Sequence, residues 1–589
     1  IWQKEEHTMN RETEAHFSHL PQVNIKRSKF NRPITHKTTM NAAQIIPIYV
    51  DSDIMPGDTV QIDMGAVIRE STPIAPVMDN AYVDIMGFFC PHRLVWSHFK
   101  EFWGENTLTA WESEIEYEIP TVKAPEEGWE KGSLADYFGI PTKVGGPTEL
   151  NPNGLEVNAL PGRAYCKIFD DWFRDTALQD GVMFNEDETT LTGKNGSDAD
   201  YDKITDTQLL AAPLKACKYH DRFTSALPEP QYGPTVKLPI VAEDAKAHVM
   251  TYGGGEAWNP DFLEDGAGSM GKNIIYATRE SVGTTPVWDQ GTVNEQVRQS
   301  STIGYSTGTA GSGTALSNGK EPLPINLYAD LGVINTAITI QELRQSIALQ
   351  EFYEALARGG NRYIEIIKAI FDVNSSDARL QRSEYLGGLR RPINMDQVLQ
   401  TSGTASEPTP LGNTGAFSMT ALKEYIFEKS FEEHGTLMIM AIIRTDHTYQ
   451  QGLHPMWSRR KREHFYNPYF ANLGEQGIKN KEIYCQGTAQ DEEIFGYQEA
   501  WSEYRYGQSM VTGAMRSNYD QSLDIWHYAD YYESLPTLSD EWIEETQKNI
   551  DRTIAVQSDL ENQFICDFYF DANYIRPMPV YSVPGIERI

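Results

Sequence analysis

Thr59-Val60-Gln61-Ile62-Asp63-Met64-Gly65-Ala66-Val67-Ile68 places apolar side chains at alternate positions, with Val60, Ile62 and Met64 in phase. A period of two puts one set of side chains on a buried face and the other in water, which is the pattern of a half-buried β-strand. The turn residues Met55-Pro56-Gly57-Asp58 stand just before it. Ile45 to Val50 reads as a strand on one side and Ala81 to Phe89, with Val83, Ile85 and Phe89 in phase, as a strand on the other. Leu437 to Ile443 and Phe564 to Phe570 have strand texture near the opposite end. Strands at both ends with helices and loops inserted between them predict a mainly β fold, a β-sandwich whose sheets pair residues distant in sequence.

The inserted helices carry their own punctuation. Pro91 followed by Val95, Trp96, Phe99, Phe102 and Trp103 predicts a short amphipathic helix stopped by Gly104. Pro161 opens a second, lined by Tyr165, Ile168, Phe169, Trp172 and Phe173. Thr339 and Glu342 form a capping box for a third, running through Leu343, Ile347, Phe352 and Leu356 to Gly359-Gly360. The aromatic stripes of the first two are core, and no chemistry is assigned to them. From Val241 to Asn326 the texture changes to Gly, Ser and Thr, including the low-complexity run Gly304 to Gly319, and reads as a surface excursion.

With 589 residues, 40% hydrophobic, 11% aromatic and a net charge of -33, the chain reads as an ordered, acidic protein. Its longest apolar run, Leu437 to Ile443, is far short of the roughly 20 residues that span a bilayer, and no apolar signal core stands near Ile1. The five cysteines, Cys90, Cys166, Cys217, Cys485 and Cys566, are odd in number and widely spaced, which indicates neither a disulfide framework nor a zinc site and suits synthesis in a reducing cytoplasm.

Tests for catalytic and ligand motifs fail. Gly304-Tyr305-Ser306-Thr307-Gly308 has the nucleophile-elbow pattern but is followed by Gly/Ser/Thr rather than by a helix start. Gly313 to Lys320 spaces its glycines one residue too far apart for a phosphate loop and is followed by Glu321 where Ser or Thr would bind magnesium. Asp198, Asp200 and Asp202 begin like a calcium loop, but Lys203 and Leu209 occupy positions that need Gly and Glu. The histidines lack ligand spacing. No enzyme, cofactor or metal site is expected.

Charge segregation is the informative signal. Between Ala15 and Val50 there is no Asp or Glu, yet Lys26, Arg27, Lys29, Arg32 and Lys37 are present. A polar tether with five cations can release counterions from a phosphate backbone, and these five are the candidate DNA-contacting residues, with Phe17 and Phe30 available for base stacking. The second basic cluster is Arg459-Arg460-Lys461-Arg462, flanked by Trp457, His464, Phe465 and Tyr466. Glu463 and those aromatics predict partial burial, and so a surface or subunit contact ahead of a nucleic-acid contact.

Four segments together resemble the major capsid proteins of the Microviridae, specifically the gokushovirus-like branch. They are Asn24-Ile25-Lys26-Arg27-Ser28-Lys29-Phe30 leading to Met55-Pro56-Gly57-Asp58; Leu160-Pro161-Gly162-Arg163-Ala164-Tyr165 with Asp171-Trp172-Phe173-Arg174-Asp175; Tyr219-His220-Asp221-Arg222-Phe223-Thr224-Ser225-Ala226-Leu227-Pro228 with Pro230-Gln231-Tyr232-Gly233; and Ala357-Arg358-Gly359-Gly360-Asn361-Arg362-Tyr363-Ile364-Glu365 with Asp377-Ala378-Arg379-Leu380-Gln381-Arg382 and Tyr385-Leu386-Gly387-Gly388. The resemblance implies an eight-stranded antiparallel jelly-roll β-sandwich with large loop and helical insertions, and a non-enzymatic role. Its organisation would be a basic, DNA-facing arm over 1–43, the first part of the jelly roll over 44–240, a surface insertion over 241–326 gathered at three-fold axes, and the rest of the jelly roll over 327–589. The implied partners are further copies of the chain in a sixty-subunit icosahedral shell, the circular single-stranded DNA genome, a small basic DNA-packaging protein, a pilot or minor spike protein and a host cell-surface receptor met by the insertion. The implied location is the virion, after synthesis in the bacterial host cytoplasm. Sixty arms supply about 300 positive charges against thousands of phosphates, so packaging needs further cations. A carbohydrate-binding or carbohydrate-active β-sandwich is the alternative, opposed by the absent secretion signal and by a basic arm with no role on a sugar.

Overall fold

The computed structural model describes residues 26–105, 117–148, 153–182, 184–195, 208–233, 376–401 and 414–581, with shorter stretches between 248 and 374. Eight strands build its frame: β1 (Ser28–Met40), β2 (Ile46–Ile54), β3 (Thr59–Glu70), β4 (Ala81–Pro91), β5 (Glu384–Pro392), β6 (Thr420–Ser430), β7 (Gly435–Thr445) and β8 (Phe564–Arg576). They form two four-stranded sheets of order β1-β8-β3-β6 and β5-β4-β7-β2. Every pairing in both is antiparallel.

The alternation in β3 is what places it. Val60, Ile62, Met64, Ala66 and Ile68 are all buried, and they meet Phe564, Cys566, Phe568, Phe570 and Ala572 of β8 and Leu437, Ile439, Ala441 and Ile443 of β7 in one core between the sheets. Strand β7 does not alternate, because its other face, Met438, Met440 and Ile442, is buried too. That second layer is closed by the helix α1 (Leu160–Ile168), whose Leu160, Ala164, Tyr165 and Ile168 pack with Trp96, Trp129 and Phe88. A strand covered on both faces reads as a continuous apolar run rather than an alternating one.

Several motif residues are explained by these contacts. A Cβ on Gly162 would lie 2.8 Å from Leu210 Cδ2, so glycine lets α1 approach that loop. The Tyr165 hydroxyl donates to the Ile45 carbonyl at 2.8 Å and accepts from the Leu214 amide at 3.1 Å. Tyr219 donates to Asp84 at 2.9 Å while the guanidinium carbons of Arg390 and Arg444 stand 3.9 and 4.2 Å from its ring centre.

Two expectations change. The single helix after Pro91 is instead a 3-10 turn, His92–Leu94, and one helical turn, Phe99–Phe102. The chain between them is held elsewhere: Trp96 Nε1 donates to Glu188 and the Ser97 amide to the Glu186 carbonyl. Gly104, at φ +95°, ends the segment as expected. Of the tether expected before residue 44, Ser28–Met40 is strand, and residues 1–25 lie outside the described residues. The helix Ile340–Gly359 forms as expected, with Leu343, Ile347 and Phe352 exposed, and Thr339 lies outside the described residues.

The chain divides into one unit of residues 1–232 with 354–589, which holds the two sheets, and another of residues 233–353. The described parts of the latter are short antiparallel pairings: Ile274–Val282 with Thr285–Val293 and Pro322–Pro324, Gly304–Tyr305 with Thr314–Ala315, and His248–Thr251 with Leu327–Asp330. Ser306 of the Gly-x-Ser-x-Gly pattern and the Asp198, Asp200, Asp202 group lie outside the described residues.

Candidate nucleic-acid interface

The pleat of β1, an edge strand, sorts the candidate cations into two classes. Lys29, Asn31, Pro33, Thr35, Lys37 and Thr39 are exposed, while Arg32 is half-buried. Lys26 and Arg27 precede the strand and are exposed. Lys29 and Lys37 are separated by about 27 Å at the usual rise of an antiparallel strand. Lys37 Nζ lies 3.6 Å from Asp567, its register partner, with both side chains more than half exposed, so water and salt screen the pair. Among the described residues, Lys26, Arg27 and Lys29 form no ion pair. Lysines on an edge strand also discourage pairing with a foreign strand.

Arg32 does different work. Its Nη1 donates to Asp51 Oδ2 at 2.9 Å, and its guanidinium lies 4.9 Å from the centre of the Tyr574 ring. Asp51 is buried and also accepts from the Tyr574 hydroxyl at 2.7 Å and from the Asp53 amide at 3.0 Å. The Tyr49 and Tyr574 hydroxyl oxygens are 2.5 Å apart, and burial pushes the Tyr49 phenol up to about 12. Arg576 Nε stands 3.1 Å from Asp58. This network joins β1, β2 and β8, so Arg32 holds the edge strand that carries the exposed lysines.

Tertiary structure adds two residues that sequence reading missed. Tyr569 stands between Thr35 and Gly65 on the exposed face of the sheet, and Tyr425 stands opposite Asp63. They are 46% and 55% exposed. Gly65 has no side chain to cover the neighbouring ring, which leaves a flat face suited to base stacking. The only signal in the sequence was an aromatic at an out-facing strand position, and it acquires meaning through register. Asp63, Asp567 and Asp571 share this face, and Asn31 Nδ2 donates to Asp571 at 2.7 Å, so the surface is mixed in charge rather than uniformly basic.

The second basic cluster departs from expectation. Arg459 is turned inward, with Nη2 3.0 Å from Glu503 and its guanidinium 4.3 Å from the Tyr504 ring centre. The rest is not partly buried: Arg460, Lys461, Arg462, Phe465, Tyr466 and Tyr469 are all exposed. The backbone is occupied by 3-10 turns at Pro455–Ser458, Arg462–His464 and Pro468–Phe470, which direct these side chains outward. Among the described residues no group of three His, Cys, Asp or Glu side chains is placed to hold a metal ion.

The sequence from residue 18 to 586 matches the family model described as Capsid protein (F protein). It is 40% identical over 578 residues to Capsid protein VP1 of Spiroplasma virus 4, covering 97% of this chain and 98% of that protein. It is 39% identical over 578 residues to Capsid protein VP1 of Bdellovibrio phage phiMH2K, covering 98% of each. Capsid protein VP1 of Chlamydia phage 1 is 36% identical over 601 residues, covering 97% of this chain and 98% of its own length.

Proposed function

The chain belongs to the capsid protein (F protein) family of the Microviridae, and from that premise we propose that its function is to self-associate into a closed icosahedral shell around single-stranded DNA. The observation that carries this reading is the match from residue 18 to 586, which leaves almost none of the chain for another role. The sheet orders β1-β8-β3-β6 and β5-β4-β7-β2 support an eight-stranded jelly roll as the shell-forming frame. Lys26, Arg27, Lys29 and Lys37 are the proposed contacts to the genome, with Arg32 positioning their strand. The excess of 33 negative charges makes subunits repel one another, so assembly should depend on salt. The insertion around residues 241–326 is the proposed host-attachment region, and a small basic protein and a pilot or minor spike protein are the proposed packaging and entry partners.

The test is size. Negative-stain imaging and size-exclusion chromatography of the purified chain, alone and with single-stranded DNA plus a small basic peptide, should give uniform round particles or defined capsomers. A stable monomer under every condition, together with binding on a glycan array, would overturn the proposal.

A further inference from the structure

From the exposed strip Arg460–Tyr469 we infer a second single-stranded DNA contact, separate from the cations of β1, in which Arg460, Lys461 and Arg462 meet phosphates and Phe465 and Tyr469 meet bases. The inference rests on the proposal that this chain encloses single-stranded DNA.

Three observations converge on it. Among the described residues, Arg460, Lys461 and Arg462 form no ion pair, although the chain carries 83 acidic against 50 basic residues and the adjacent Arg459 is paired with Glu503. Three consecutive cations in no ion pair, with Glu463 the one carboxylate within Arg460–Tyr469, are a local polyanion site on a molecule that otherwise repels polyanions. The aromatics beside them face solvent: Tyr469 is 95% exposed and Phe465 51%. Finally, the strip is held in shape. The Arg460 amide donates to His464 Nδ1 at 3.2 Å, the Asn467 side chain accepts from the Tyr469 amide at 3.1 Å, and the Tyr466 amide donates to the Tyr504 hydroxyl at 3.3 Å. Trp501 Nε1 anchors the far end by donating to the Phe470 carbonyl at 2.9 Å. A backbone held by its own turns presents these rings to water at a smaller ordering cost on binding.

Beside the strip lies a cavity of about 510 Å³ whose wall includes Trp457, 71% exposed, and whose charged lining includes Arg460, Lys479 and Lys481. With Arg459 the lining holds four basic side chains, balanced by the four carboxylates of Glu463, Glu482, Glu492 and Glu503, so the cavity itself is close to neutral and would admit a base more readily than a phosphate. A contact with a second copy of the chain is the competing occupant. Protein interfaces favour aromatics and arginine but deplete lysine and carry little charge at their core, so three adjacent cations in no ion pair fit a nucleic acid better.

The test uses the full chain and a fluorescein-labelled single-stranded oligonucleotide of about 30 nucleotides, read by anisotropy across a salt series, with particle formation imaged in parallel. The triple variant Arg460→Gln, Lys461→Gln, Arg462→Gln should lower the slope of log affinity against log salt by about 2. Tyr469→Ala should weaken binding about five- to hundredfold, and neither change should prevent particle formation. Variants that bind as the native chain does would overturn the inference, and if those variants also stop assembling, the strip is a contact between copies. A native chain that forms particles but binds no oligonucleotide overturns the inference alone. A native chain that does neither overturns the shell proposal with it.

Discussion

His447 Nδ1 lies 2.7 Å from Asp530 Oδ2, and both side chains are almost fully buried. The other ring nitrogen, Nε2, lies 3.0 Å from Glu545 Oε2. Both ring nitrogens can donate only when the imidazole is protonated. Burial by itself lowers the His447 pKa, but the charges of Asp530 and Glu545 outweigh it and push it up to about 10. Burial likewise raises the Asp530 pKa, and the His447 charge and hydrogen bond more than reverse this, bringing it down to about 2.

His447→Gln should therefore destabilise the fold by about 3–5 kcal/mol, because two buried carboxylates lose their shared cation. The pH dependence has a definite sign. The histidine contribution is complete below its unfolded value near 6.5 and is lost as pH rises through about 10; the Asp530 contribution is complete above about 4 and is lost as pH falls through about 2. Thermal unfolding of native chain and variant between pH 5 and 10 should show their difference shrinking at the alkaline end. A difference independent of pH would contradict a charged His447.

Glu70 poses the opposite case. It is buried at the end of β3, and although Thr553 Oγ1 contacts Oε1 at 3.4 Å and the Tyr528 side chain also hydrogen-bonds the carboxyl group, burial outweighs both and pushes its pKa up to about 7. The folded state holds a proton that the unfolded state has already lost above about 4.5, so this site's contribution is complete below that pH and is lost as pH rises through 7. Glu70→Gln should be nearly neutral at pH 4 and stabilise by about 2–3 kcal/mol at pH 8. Denaturant titrations at the two pH values check this, and equal effects at both would reject it.

Gly387 sits at φ +147° beside a register shift between β4 and β5, and a Cβ there would lie 2.7 Å from the Ile426 carbonyl oxygen. Ile426 is itself skipped at a register shift in β6, between Tyr425 and Phe427, but its carbonyl is main chain and cannot swing aside as a flexible side chain can. Gly387→Ala should cost about 2 kcal/mol or more, read as a lower Tm. An unchanged Tm would mean that the bulge relaxes freely.

The two classes of cation on β1 should separate experimentally. Arg32→Ala removes the ion pair with Asp51 and should cost about 1–2 kcal/mol, moderated because Arg32 is partly exposed. Lys29→Gln with Lys37→Gln should change stability by less than about 0.5 kcal/mol while reducing the DNA retained in particles. If the lysine variant unfolds early or packages normally, the assignment of roles is wrong.

Much of the fold was legible because it rests on local periodicity. Alternation in Thr59–Ile68 marked the core face of β3, Pro161 marked the start of α1, and the apolar run Leu437–Ile443 marked a strand. The helix after Pro91 was misread because the Trp96 amide still bonds His92 but the next amide, Ser97, bonds the carbonyl of Glu186, a distant segment that interrupts helical spacing. The second basic cluster was misread because aromatic residues do not announce which way a 3-10 turn will face.

By itself, the amino-acid sequence determined the charge of this protein, the block of cations near its start, the strand periodicity and, through joint motifs, its family. Tertiary structure alone decided which cation does what. Lys29 and Lys37 face water and Arg32 faces Asp51 because a strand sends neighbouring side chains to opposite faces, and because β2 and β8 bring Asp51 and Tyr574 to the inner one. In the same way His447 meets Asp530 and Glu545 across 83 and 98 residues of chain. Such pairs depend on where the backbone returns, and no local pattern encodes that.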